Sequence, residues 1–127
     1  MTKETLKIIN DAMKELGLAY GFGEYSHKPV VYPYFVGEYT ETESITEDGL
    51  QESTFLLTGY ARGAWLVLLD ARERIENYFN RVSGKTVITD SGSAVAVFYA
   101  NSMIVPTADA ELKRIQINLD IIEWRVS

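Results

Sequence analysis

Leu112–Val126, LKRIQINLDIIEWRV, is the stretch whose reading decides the fold. Ile115, Ile117, Leu119 and Ile121 alternate with Arg114, Gln116, Asn118 and Asp120. A period of two sets the apolar side chains on one face of a strand and the polar ones on the other, so one face is covered and the other open. Beyond Ile121 the pattern slips, and Ile122 and Trp124 fall on the polar face. Either a bulge resets the alternation there, or a second surface such as a neighbouring subunit covers that face; the bulge is the first expectation.

A half-covered strand needs an apolar layer, and two segments upstream can supply it. In Ala64–Arg81 the residues Trp65, Leu68, Leu69, Ile75 and Phe79 follow helical spacing, while Asp70, Glu73, Arg74 and Glu76 fall off the stripe. Near the N-terminus Leu6, Ile9, Met13 and Leu16 form a second apolar stripe. Lys3, Lys7, Lys14 and, in part, Glu15 occupy its opposite side, with Thr2 as N-cap and Gly17 as terminator. Between the helices, Val30–Tyr39 (VVYPYFVGEY) is β-branched and aromatic and therefore extended; Pro33 donates no hydrogen bond, which puts the strand at an edge or Pro33 near its beginning. Ser53–Ala61 (STFLLTGYA) returns, with Phe55 and Leu57 facing one way and Leu56, Thr58 and Tyr60 the other. Glu47-Asp48-Gly49 signals a turn, so the pair is expected as a long hairpin with an exposed polar tip. Ala19–Ser26 mixes glycine with aromatics and reads as a loop, whereas Ala94–Ala100 and Met103–Val105 read as extended. The expected fold is one α+β domain over residues 1–127, an antiparallel sheet with two helices on one face in the order α-β-β-α-β-β, leaving room for further short strands.

Composition narrows the function. Hydrophobic residues make up 46% of the 127 positions and charged residues 24%, ordinary proportions for a chain that builds its own core. Cysteine is absent, which excludes disulfides, thiolate metal sites and a cysteine nucleophile. The opening residues have no apolar signal-peptide core, and no apolar run approaches the roughly 20 residues that span a bilayer. A soluble, cytoplasmic protein without membrane contact is expected. The net charge of −6, with no Lys/Arg cluster, argues against sequence-specific nucleic-acid binding.

Candidate chemistry is sparse. The single histidine, His27, sits in an expected loop without the acid and nucleophile that a catalytic relay needs. The glycines of GLAYGFG lack the strand and the Lys-Ser/Thr of a phosphate-binding loop. Glu38–Glu52 carries Glu38, Glu41, Glu43, Glu47, Asp48 and Glu52 with no cation among them. Such a run reads as a solvated acidic hairpin, as a charged surface for a partner, or as a carboxylate set for a cation or acid–base chemistry, in that order. Five of the eight tyrosines, Tyr20, Tyr25, Tyr32, Tyr34 and Tyr39, lie close together, as at a protein interface or on the second face of a small sheet. Residues expected to meet a partner are Glu41, Glu43, Glu47, Asp48, Tyr34, Tyr39 and Trp124. No catalytic, cofactor-binding or metal-binding residues are expected.

The succession of an amphipathic helix, VVYPYFVGEY, an acidic connection, STFLLTGYA, AWLVLLDARERIENYF and LKRIQINLDIIEWRV resembles the tail-terminator or tail-completion proteins of tailed bacteriophages and prophages. The resemblance spans nearly the whole chain and rests on architecture and segment character rather than on an invariant motif. It implies a homo-oligomeric ring, a hexamer, that caps the tail tube, stops its growth and joins it to head–connector proteins. It also implies residence in the host cytoplasm during assembly and then in the virion tail, with no catalysis and no cofactor. The acidic hairpin would then be an arm or a lumen lining, and Ile122 and Trp124 would pack on a neighbouring subunit. The alternatives are a small cytoplasmic ligand-binding or enzymatic domain with a tyrosine-rich cleft, and an adaptor that binds a basic partner through the acidic hairpin.

Overall fold

The computed structural model describes residues 1–41 and 49–125. Its first element is the helix α1, Lys3–Glu15. The Thr2 side chain accepts a hydrogen bond from the Thr5 amide at 3.2 Å and caps its N-terminus. Gly17, at φ +72°, ends it: the Leu18 amide donates to the Met13 carbonyl and the Gly17 amide to that of Lys14, the paired bonds of a glycine-terminated helix. Thr5, Ile9, Ala12 and Met13 are buried on one side, while Lys3, Lys7 and Lys14 are exposed. The second helix, α2, covers Trp65–Phe79 and buries Leu68, Ala71, Ile75 and Phe79 at spacings of three and four.

Six strands complete the domain: β1 (Ala19–Phe22), β2 (Tyr34–Glu41), β3 (Leu50–Arg62), β4 (Lys85–Ile88), β5 (Ala94–Ile104) and β6 (Leu112–Trp124). They form one sheet in the order β1-β2-β3-β6-β5-β4. The architecture is α+β, but the sheet is mixed: β1 runs parallel to β2, and every other pair is antiparallel. The element order is α-β-β-β-α-β-β-β, a correction to the expected four-stranded antiparallel sheet. Ala19–Phe22, expected as a loop, supplies the parallel edge, and Lys85–Ile88 supplies the other edge.

β3 and β6 pair in unbroken register from Leu50 opposite Trp124 to Arg62 opposite Leu112. No bulge interrupts β6, so the expected reset after Ile121 does not occur; Ile122 and Trp124 stay on the face away from the helices. The irregularity lies in β5, between Tyr99 and Asn101, where Ala100 is an extra residue. Helix and strand side chains meet in a single core. Phe35, Phe55, Leu57, Val97, Tyr99, Ile115, Ile117, Leu119 and Ile121 pack there with Ile9, Met13, Leu68, Ile75 and Phe79. Each fully buried aliphatic or phenylalanine side chain contributes roughly 1.5–3 kcal/mol relative to exposure. Both helices cover that face, and among the described residues the opposite face of the sheet carries no helix.

Candidate interaction surface

Strand parity decides which side chains the helix-free face presents. On β3 these are Leu50, Glu52, Thr54, Leu56, Thr58 and Tyr60, because Gln51, Ser53, Phe55, Leu57 and Ala61 are buried on the other side. On β6 they are the even-numbered positions from Arg114 to Trp124. The register sets Tyr34, Tyr60 and Arg114 in one row across the sheet; the row at the far end joins Leu50, Trp124, Ala94 and Ile88. Aromatic and apolar rows thus bound a polar middle of Glu38, Thr54, Asn118 and Asp120. Trp124 is 43% exposed, and Ile88 and Met103 are more exposed still, so this face holds apolar surface that nothing among the described residues covers.

The tyrosine end is ordered by ring contacts. Tyr34 stacks on Tyr25 at 4.7 Å and on Tyr60 at 5.0 Å, and Tyr32 tilts against it at 5.6 Å. Burial, with the neighbouring tyrosines adding to it, holds the Tyr34 hydroxyl above its ordinary pKa. These rings spend their faces on one another instead of opening onto a cleft. Arg62 pairs with Asp109 at 3.3 Å, and a hydrogen bond with Tyr32 and the Asp109 carboxylate raise its pKa further.

Trp124 and Tyr34 lie on the helix-free face but at opposite ends of it. Tyr39 sits on the helix side of β2, opposite Phe55, and stacks on Phe22 at 6.1 Å. Glu41 shares that side: it accepts from Gln51 Nε2 at 3.1 Å and forms an ion pair with the Met1 ammonium. Its carboxylate thus ties the end of β2 to the N-terminus, a structural use that the acidic run did not reveal. Glu43, Glu47 and Asp48 lie outside the described residues. Of the seven expected partner residues the four described, Tyr34, Tyr39, Glu41 and Trp124, do not share one patch.

A polar group missed by sequence reasoning lies beside Glu41. Glu123 is 1% exposed, at the end of β6 and on the core side. Its Oε1 accepts from Thr5 Oγ1 and, at 3.3 Å, from the Thr2 amide; its Oε2 meets Arg125 at 3.1 Å. Arg125 also donates to Gln51 Oε1. The signal was present: Glu123 continues the odd-numbered core series Ile115–Ile121, and Arg125 follows two residues later.

Among the described residues no His, Cys, Asp and Glu side chains form a group of three able to hold a metal ion, and no helix is long and apolar enough to cross a membrane. What the arrangement offers chemically is a broad, half-apolar sheet face bordered by aromatic rings. Comparison with protein-family models and with curated protein sequences finds no match.

Proposed function

We propose that the protein is a non-catalytic assembly subunit of the tail-terminator or tail-completion class, which forms a ring on the end of a phage tail tube and prepares it for joining to the head. The observation that carries the reading is the helix-free sheet face. Four adjacent strands, β2, β3, β6 and β5, leave Trp124, Ile122, Met103 and Leu56 without a covering layer among the described residues. A protein that works alone gains nothing from such a face, whereas a subunit in a closed assembly covers it with a neighbour. A tyrosine-lined ligand cleft is not supported, because Tyr25, Tyr34 and Tyr60 stack together.

The test mixes the purified protein with tail tubes isolated from a phage or prophage of the same host, followed by electron microscopy of the tube ends. One ring of additional density at one end of each tube is expected. Bare ends at saturating protein, with the protein folded by circular dichroism, contradict the tail reading.

A further inference from the structure

We propose that the helix-free sheet face docks the α1 face of a second copy of this chain, in a head-to-tail contact. This deepens the assembly reading above and rests on it.

Lys3, Lys7 and Lys14 stand four and seven residues apart in one stripe along α1, and all three are exposed; exposed Asp11 lies between the last two, so the stripe carries a net charge of about +2. Among the described residues none of them forms an ion pair. On the other side of the molecule Glu38, Glu52 and Asp120 are exposed on the helix-free face, on β2, β3 and β6, and they too lack an ion pair. Glu52 and Asp120 line a depression of about 220 Å³ with Thr54 and Ile122, room for the end of a lysine side chain.

The two sets cannot meet within one molecule, because the core separates them. A second copy carries both. The lysine stripe spans about 16 Å at the rise of a helix. The three acids fall within about 14 Å of one another, from the strand spacing and the register. Trp124, Ile122 and Phe98 flank the acids on the same face and supply the apolar part of a contact. Four strands of this length present roughly 700 Å², close to the about 800 Å² per partner of a stable interface. At physiological salt the Debye length of about 8 Å screens the overall repulsion between two acidic copies, while close pairs in the contact persist. Because the two surfaces differ, each copy offers one to the next, the geometry that closes rings or runs as filaments.

Two charge-reversed variants test this, with solution mass measured by light scattering up to near-millimolar protein. One carries Lys3→Glu, Lys7→Glu and Lys14→Glu; the other carries Glu38→Lys, Glu52→Lys and Asp120→Lys. The wild type is expected to assemble, and each variant alone to remain at monomer mass. An equimolar mixture is expected to regain the wild-type mass, because each reversed surface then meets its complement. A monomeric wild type, a variant that assembles unaided, or a mixture that stays monomeric overturns the contact. If either variant is unfolded by circular dichroism, Glu38→Gln with Glu52→Gln and Asp120→Asn replaces it. That variant is expected to lose roughly tenfold or more in association constant, and an unchanged constant overturns the contact. Tube capping that survives charge reversal overturns this contact and leaves the tail reading intact; charge-swapped assembly without tube capping does the opposite.

Discussion

At the scale of single residues, Tyr20 on β1 shows how the core handles a polar atom. Its hydroxyl is buried without a hydrogen-bond partner among the described residues, close to Gly37, where a larger residue would collide with it and with the Phe55 ring. Burial raises the Tyr20 pKa well above the ordinary 10.0. The native state therefore keeps a proton that the unfolded chain releases. The resulting stability is fully present below pH 10.0 and is lost as pH rises through the higher folded value. Tyr20→Phe removes an unpaired group and is expected to be as stable as the wild type at neutral pH, or more stable by about 1 kcal/mol. Between about pH 9 and about pH 11 its melting temperature is expected to fall less steeply than that of the wild type. Equal slopes in thermal melts would assign the alkaline loss to other groups, Tyr34 among them.

Among the elements, the end of the sheet where β2, β3 and β6 meet α1 depends on Glu123. Glu123→Ala leaves Thr5 and Arg125 without their shared acceptor, and a loss of about 2–3 kcal/mol is expected from urea unfolding. A loss below about 0.5 kcal/mol would mean that Arg125 and Thr5 find equivalent partners. Elements with a long, regular pattern were legible in the sequence. The buried face of α1, with its Thr2 cap and Gly17 stop, stands where the spacing put it, and so do α2 and the alternation of β6. β1 was not legible, because AYGF is short, holds a glycine and pairs in parallel with a strand that begins twelve residues after it ends. β4 has only four residues, too few for a period to emerge. The break between two expected extended pieces at Ala100 is one strand with an extra residue. Trp124 stays on the open side because the register of β6 is unbroken, whereas the bulge expected after Ile121 would have returned it to the core. Glu123 was overlooked because a carboxylate seldom occupies a core position without partners, and those partners come from distant parts of the chain.

At the scale of the molecule, the two-layer arrangement of the described residues leaves one sheet face without a covering layer, and the proposed assembly covers it. Among the described residues the lysines of α1 and the acids of that face form no ion pair and lie on opposite sides, so the proposed contact takes one surface from each of two copies. Of the expected partner residues, Trp124 belongs to this surface at one end and Tyr34 at the other, while Glu41 serves the subunit's own fold. The most direct test of the account is the light-scattering mass of the wild type and of Trp124→Asp across protein concentration, with a thermal melt of each. The account predicts that wild-type mass rises to a fixed multiple of the monomer. Trp124→Asp should remain monomeric with a melting temperature within about 3 °C of the wild-type monomer. A wild type at monomer mass throughout, or a Trp124→Asp protein that assembles normally, would contradict it.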